Sequence, residues 1–308
     1  MSEAAQPPVI AIVGPTASGK SALALHVAQA VNAEIVGTDS MQAYRGMNIG
    51  TAKPNEADQR LVRHHMIDVW PVDQAVSVVE FRDRARQAID DIRGRGKTAL
   101  VVGGSGLYVR AVLEKLDFPG TDPDVRARWE ARLREVGAPA LHDELRARDP
   151  DAAQAIERNN GRRIVRALEV IELTGEPFVA HLPPPEDVYP VHRFGVHIDR
   201  EHLDTRIEER VNVMWSDGFV DEVRQLEASG FRDAPTAAAA LGYGPVLDFL
   251  AGECSEEQAR QRTIDDTRKF ARRQQRWFRR DERIEWHNHD DAGFADAIAG
   301  CVARWYRS

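Results

Sequence analysis

The sequence predicts an α/β protein, a P-loop NTPase-like parallel sheet core flanked by helices, with an all-helical insertion domain. Three observations carry this reading. In Val9-Ile10-Ala11-Ile12-Val13-Gly14-Pro15-Thr16-Ala17-Ser18-Gly19-Lys20-Ser21 an apolar run stops at a glycine, turns, and opens an alanine- and leucine-rich helical pattern. The spacing Gly14-x4-Gly19-Lys20-Ser21 is the full phosphate-loop pattern, with the strand before it and the helix after it that the chemistry requires. Thr98-Ala99-Leu100-Val101-Val102 is near-continuously apolar, as a parallel strand covered on both faces must be. From about Phe118 to Val191 only helical patterns occur, and strand alternation resumes at His192–Ile198.

At 308 residues the chain has room for one large domain or two. No segment is long and apolar enough to span a membrane, and Met1–Pro8 lacks a signal peptide's basic and apolar regions, so a cytoplasmic protein is expected. Two cysteines, Cys254 and Cys301, argue against a disulfide framework and against a zinc site. A net charge of −8 argues weakly against nucleic acid, but local basic clusters outweigh the sum.

Residues 1–8 read as a tail, 9–13 as the first strand and 20–31 as the first helix. Phosphate-loop glycines let several backbone N–H groups face an anion, and the helix start adds its positive dipole end. Lys20 supplies a mobile cation and Ser21 a hydroxyl for Mg²⁺. Ala33–Thr38 reads as a second strand ending at Asp39-Ser40-Met41-Gln42. A buried parallel strand delivers such residues to the ligand crevice, which makes Asp39 a candidate for chemistry; capping a following helix explains it equally well. Met47–Asn55 is loop. His64 and His65 are adjacent in a strand and face opposite ways, which favours structural roles over metal binding. A helix from Ser77 to about Arg93 carries Phe81, Ala85, Ala88, Ile89 and Ile92 on one stripe.

The strand at 98–102 runs into Gly103-Gly104-Ser105-Gly106-Leu107-Tyr108. An NTPase usually places a Walker B aspartate there, so its absence weakens a motor-type ATPase reading. The insertion, roughly 118–192, reads as helices over 124–136, 139–148, 151–157 and 160–174, followed by a stiff Pro183-Pro184-Pro185 linker. The remainder, 1–117 and 193–308, is expected to form the P-loop-like core. Helices are expected over 201–229 and 256–280, with a break at Leu241–Pro245, and a last amphipathic helix over Ala292–Tyr306. Basic clusters stand at Arg126, Arg128, Arg132 and Arg134, at Arg158, Arg162, Arg163 and Arg166, and along Arg268, Arg272, Arg276 and Arg279. The last group, with Phe270, Trp277 and Phe278 among its residues, fits a helix that neutralises phosphates and stacks bases; an exposed helix with core aromatics is the plainer reading.

Taken together these residues resemble bacterial tRNA dimethylallyltransferases over nearly the whole chain. The resemblance rests on Gly14–Ser21, Asp39-Ser40-Met41-Gln42, Tyr44-Arg45-Gly46-Met47, Ile49-Gly50-Thr51-Ala52-Lys53-Pro54, Gly103–Tyr108, Asp149-Pro150 and Arg162-Arg163 through Arg166–Val170. It implies transfer of a dimethylallyl group from its diphosphate to N6 of adenosine 37, in tRNAs reading codons that start with U. The loop then cradles a leaving pyrophosphate, which agrees with the missing Walker B acid. Under this resemblance Gly14, Pro15, Thr16, Ala17, Ser18, Gly19, Lys20 and Ser21 bind the diphosphate, Lys20 and Mg²⁺ at Ser21 stabilise the leaving charge, and Asp39 is the general base.

Ser105 stands where relatives more often carry threonine, and its hydroxyl meets the diphosphate or the reacting nucleotide. By the same resemblance Asp39, Ser40, Met41 and Gln42 are expected to contact the tRNA, with Gln42 helping to read the flipped adenine. Arg126, Arg162, Arg163 and Arg166 match insertion positions that contact tRNA, and the helix of Arg272 and Arg276 tracks its backbone. Relatives often carry Arg or Gln at the position of Ala239, a departure bearing on the diphosphate contact. The implied partners are the tRNA anticodon stem-loop and dimethylallyl diphosphate, with no membrane and a monomeric protein. The rival readings are prenylation of free AMP, ADP or ATP, and a P-loop small-molecule kinase.

Overall fold

All five residues of β1 (Val9–Val13) are buried, and their side chains alternate between two apolar layers. Val9, Ala11 and Val13 pack on one side of the sheet with Phe81, Ala85, Ile89 and Ile92; Ile10 and Ile12 pack on the other with Ala24, Val27 and Ile298. A sheet filled on both faces is why these strands read as unbroken apolar runs rather than as alternating ones. The computed structural model describes residues 7–179 and 183–305.

The chain runs β1, α1 (Lys20–Ala30), β2 (Ala33–Gly37), α2 (Glu56–Leu61), β3 (His64–His65), α3 (Val78–Gly94), β4 (Thr98–Gly103) and α4 (Gly106–Leu113). The insertion supplies α5 (Pro123–Arg148), α6 (Pro150–Ala155) and α7 (Gly161–Thr174). Then follow β5 (Val191–His197), α8 (Arg200–Ser216), α9 (Phe219–Glu227), α10 (Tyr243–Leu250), α11 (Glu256–Phe278), β6 (Ile284–Asn288) and α12 (Phe294–Trp305). The six strands form one sheet in the order β3-β2-β4-β1-β5-β6, every pair parallel. The carboxyl ends of β1, β2 and β4 therefore lie side by side, where open parallel sheets bind ligands.

Capping explains several helix bounds. At α3, Ser77 Oγ accepts the Glu80 N–H and the Glu80 carboxylate accepts the Ser77 N–H. Ser255 and Gln258 repeat this box at α11. The α3 stripe holds Phe81 edge-on to Tyr108, with centroids 4.9 Å apart; truncating so buried a ring costs about 3–5 kcal/mol.

The chain divides into two compact units. One holds the residues up to Glu114 and from Asp187 onward, and Lys115–Glu186 makes the other. The sequence-derived bounds, 118 and 192, fall a few residues later at each crossing. Within the second unit α5 contains the expected break, at Gly137 with φ +78° two residues before Pro139, and its own core gathers Trp129, Leu141, Leu145, Ile164, Val165 and Leu168.

Four details differ from the sequence reading. The stretch 201–229 is two helices, α8 and α9, parted at Asp217-Gly218. Leu241–Pro245, expected to be a break, leads into α10, because Gly242 caps the helix and Pro245 falls in its first turn, where a missing N–H is harmless. Short α2 and α4 carry too few turns to show a period. The edge strand β6 was missed: Trp286 and Asn288 are exposed and only Ile284 is buried, so no apolar run marks it. The expected tail 1–8 falls mostly, and the end of the last helix at Tyr306 wholly, outside the described residues. The two histidines of β3 are structural, since His64 Nδ1 meets the Val62 carbonyl at 2.8 Å and His65 Nε2 meets Glu34 at 2.8 Å.

Candidate active site

The phosphate loop follows β1 and ends in Gly19, which caps α1 with no side-chain bond, so the first N–H groups of that helix are left for a ligand. Ala17 holds φ +62°, a left-handed conformation that non-glycine residues adopt at a cost of about 1–3 kcal/mol and that clusters at ligand clamps. The Thr16 N–H is taken by Gln274 Oε1 at 2.8 Å, which ties the loop to α11. Lys20 Nζ donates to the Pro15 carbonyl at 3.1 Å. Burial pushes the Lys20 ammonium down to about 8, Arg210 pushes it the same way, and Asp39 pulls it back up. The same Asp39 opposes the burial that lowers Arg210. One carboxylate and two cations therefore share a small region at the strand ends.

Thr38 extends the β2–β4 ladder through its N–H to the Val102 carbonyl, 2.8 Å away, and leaves Asp39 just beyond the sheet. Asp39 is exposed, and its Oδ1 accepts the Met41 N–H at 3.0 Å. This is a tight turn of its own; no α-helix begins there, so Asp39 caps none. Ser105 is the N-cap residue of α4, yet its hydroxyl makes no capping bond. Ser40 hydrogen-bonds the Tyr108 hydroxyl, whose ionisation burial pushes upward.

Some of these groups open onto one cavity of about 330 Å³; of the phosphate loop Thr16 lines it, whereas Gly14, Pro15, Ala17, Ser18, Gly19, Lys20 and Ser21 do not. Thr16, Asp39, Ser40, Met41 and Ser105 line it together with Arg210, Arg273 and Gln274. Ile207, Val211, Met214, Phe219, Leu241 and Phe270 supply apolar lining. Such a cavity can hold an apolar group beside an anion and a carboxylate.

Not every expected residue meets the cavity. Gln42 does not line it; its Nε2 donates to the Thr51 and Ala52 carbonyls at 3.0 and 3.1 Å, so it braces a loop. Arg272 is paired with Asp204 at 3.2 Å, and Arg268 is paired with Glu208 at 2.8 Å, so half of the expected arginine stripe is matched by acids of α8. Arg276 and Arg279 are exposed. In the insertion, Arg166 donates to the Pro119 and Gly120 carbonyls and to Glu169, an inward staple rather than a free cation. Arg126 reaches Glu130 at 3.4 Å. Arg162 and Arg163 are exposed, and Arg163 also takes the Asn160 side chain through its own N–H.

Sequence reasoning passed over Arg206, Arg210 and Gln274. A Cβ placed on Gly19 would stand 3.4 Å from the Arg206 guanidinium, so Arg206 lies over the loop. Arg206 and Arg210 share one face of α8 at the i, i+4 spacing, and that spacing was the only available signal. Ala239 lines the cavity with a bare methyl, and Arg210 brings a cation to the same space.

The hydroxyls of the loop would suit a divalent metal ion bound mainly through phosphate oxygens of a ligand. No group of three or more His, Cys, Asp or Glu side chains that could hold a metal occurs among the described residues. Ser21 is exposed at the start of α1, and the buried Ser18 Oγ has no hydrogen-bond partner, so the loop offers hydroxyls rather than a carboxylate cage. Mg²⁺ keeps several waters and binds through few protein ligands plus phosphate oxygens, which suits this set.

The family model described as IPP transferase matches residues 42–281. A tRNA dimethylallyltransferase of Salinispora arenicola is 56% identical over 291 residues, covering 94% of this chain and 85% of that protein. A tRNA dimethylallyltransferase of Thermobifida fusca is 55% identical over 299 residues, covering 96% and 94%. The crystal structure of the full-length tRNA isopentenylpyrophosphate transferase of Bacillus halodurans aligns over 98% of this chain and 99% of that one, at 37% identity and a TM-score of 0.72. A eukaryotic dimethylallyltransferase acting on tRNA, 24% identical with a TM-score of 0.75, has the same fold. With the family model matching residues 42–281 and relatives 56% and 55% identical over nearly its whole length, this chain belongs to the IPP transferase family.

Proposed function

We propose that this protein transfers a dimethylallyl group from dimethylallyl diphosphate to N6 of adenosine 37, in tRNAs that read codons starting with U, and releases diphosphate. One observation carries the reading. The exposed Asp39 carboxylate and Thr16 of the phosphate loop line the same cavity as Ile207, Val211, Met214 and Phe219, so anion, apolar group and proton acceptor can meet there. The relatives' names agree with it.

In the reaction, N6 attacks the first carbon of the prenyl chain. The carbon–oxygen bond to the diphosphate breaks, its electron pair leaves with the pyrophosphate, and the N6 proton passes to Asp39. Phosphate-loop N–H groups, Lys20 and Arg210 stabilise the charge that grows on the departing oxygen. The apolar side chains exclude water, which would otherwise capture the allylic carbon. Ser105 contributes a hydroxyl to the same space. Mg²⁺, with Ser21 as its protein ligand, supplies further neutralisation of the leaving group when bound. A flipped adenine is needed because N6 is hidden in the stacked anticodon loop. Exposed Arg162, Arg163 and Arg276 suit contact with tRNA phosphates.

Incubation with tRNA, dimethylallyl diphosphate and Mg²⁺, followed by digestion to nucleosides, tests the proposal. N6-dimethylallyladenosine from tRNAs reading U-initial codons is the expected product. Its absence refutes the proposal, and prenylated AMP without prenylated tRNA reassigns the acceptor. A kinase reading is disfavoured because β4 ends in Gly103-Gly104-Ser105 and brings no acid to the loop.

A further inference from the structure

We propose that Glu222 is a positioning residue for prenyl transfer, one whose carboxylate holds the Asn48–Gly50 backbone and so sets the wall of the cavity beside Asp39. The inference rests on the function proposed above.

Glu222 lies in the first turn of α9, is 8% exposed, and has no ion-pair partner among the described residues. Its charge is met by four donors instead. Oε2 accepts the Asn48 N–H at 2.8 Å and the Ile49 N–H at 2.7 Å. Oε1 accepts the Gly50 N–H at 3.1 Å and the Tyr243 hydroxyl at 2.7 Å. Three consecutive backbone N–H groups converging on one anion form a nest, and here the anion belongs to the protein. Tyr243 is fully buried; burial first, then the Glu222 charge, push its ionisation far upward, so the phenol stays a donor.

The clamped segment leads directly to the reacting groups. Gly50 and Thr51 line the cavity, and so does Phe219. A Cβ on Gly50 would stand 2.2 Å from the Phe219 ring and 2.7 Å from the Tyr243 ring, so the segment is pressed against the aromatics that flank Glu222. The carbonyls of Thr51 and Ala52 accept the Gln42 amide, and Gln42 belongs to the turn that Asp39 begins. At the far end, the Lys53 ammonium donates to the Tyr44 carbonyl, to Asn48 Oδ1 and to Asp68. An anion and a cation thus tie the same loop from two sides.

Two acceptor oxygens with two donors each can be supplied only by a carboxylate. Glutamine is isosteric, but its NH₂ would face two of the four donors. Aspartate keeps both acceptor oxygens and loses one methylene. If Glu222 merely fills space, glutamine is the better replacement; if it positions the loop, aspartate is.

The test compares wild type, Glu222→Gln, Glu222→Asp and Tyr243→Phe for kcat, for KM of dimethylallyl diphosphate and of tRNA, and for thermal unfolding. Glu222→Gln is expected to lower kcat on the order of tenfold or more while KM for dimethylallyl diphosphate stays within about twofold, since the phosphate loop is untouched. Glu222→Asp should retain more kcat than Glu222→Gln. A Gln variant as active as wild type, or more active than Asp, overturns the inference. Should the Gln protein fail to fold, Tyr243→Phe decides: a kcat lowered about threefold or more with unchanged KM for the diphosphate supports it, and unchanged kcat overturns it. A wild-type protein that forms no prenylated product refutes the functional reading itself, which keeps the two failures apart.

Discussion

Under the proposed function, Lys20 should make the binding of diphosphate depend on pH. Burial and Arg210 bring its ammonium down to about 8, so a fraction of the free protein carries a neutral Lys20 under mildly alkaline conditions. Only the protonated form offers a cation to the ligand, and a bound diphosphate holds the proton on. From a value of about 8, roughly nine-tenths of Lys20 is charged at pH 7 and roughly one-tenth at pH 9, so Kd should rise about tenfold between them. The ligand's own phosphates are already ionised over that range, with a second pKa near ~6. Calorimetric titration with dimethylallyl diphosphate and saturating Mg²⁺ measures the change, along with an uptake of close to one proton at pH 9.

Lys20→Met should bind more weakly at pH 7 and show a flat profile. The sign for stability runs the other way from an ordinary ion pair. The folded value lies below the ordinary 10.5, so the charged lysine opposes folding fully below about 8, and the penalty is relieved as pH rises toward 10.5. The span corresponds to at most about 3 kcal/mol, so Lys20→Met should unfold at a higher temperature than wild type at pH 7. A Kd independent of pH from 7 to 9, or the same slope in Lys20→Met, refutes the reasoning.

Asp39→Asn keeps the shape and the bond to the Met41 N–H but removes the base; kcat should fall by about 10²–10⁴ with tRNA affinity unchanged, and wild-type turnover would dismiss Asp39. Glu34→Gln should cost about 1.5–3 kcal/mol in denaturant unfolding, because the buried carboxylate takes both Arg95 nitrogens and Lys97, at 2.5, 2.7 and 3.0 Å, while the cations it would leave behind still reach water. Arg95 holds that carboxyl well below the usual range, so its contribution is complete above its ordinary 4.5 and is lost as pH falls below it; the variant should show a flatter acid limb. Arg162→Ala should weaken tRNA binding and reduce the salt slope by about one, whereas Arg166→Ala, which removes the donor to the Pro119 and Gly120 carbonyls and one partner of Glu169, should lower thermal stability and leave the slope unchanged.

Much of this was legible in the sequence because it is local. The phosphate loop follows from a buried strand, glycines at fixed spacing and a helix start. The delivery of Asp39 and Ser105 follows from the ends of two apolar strands. The helical texture of 124–174 and the break near Gly137 follow from composition and turn chemistry. The edge strand β6 was not legible, since a strand covered on only part of one face carries no apolar run. The arginines of α11 were legible as a stripe but not as a surface, because α8 neutralises Arg268 and Arg272 from another part of the chain.

What the sequence determined by itself is what each segment sets locally: the phosphate-loop pattern of Gly14–Ser21, and the placement of Asp39 and Ser105 just past the ends of two strands. What the tertiary structure decided is which distant groups complete them. Gln274 reaches Thr16 across 258 positions, Glu222 reaches Gly50 across 172, and Arg210 meets Lys20 and Asp39 in one space. Helical periodicity marks only which side of a helix is apolar. The partner of each polar side chain depends on how the helices pack over the carboxyl edge of the sheet, and burial there turns an ordinary lysine, glutamine or glutamate into one with a single set of partners.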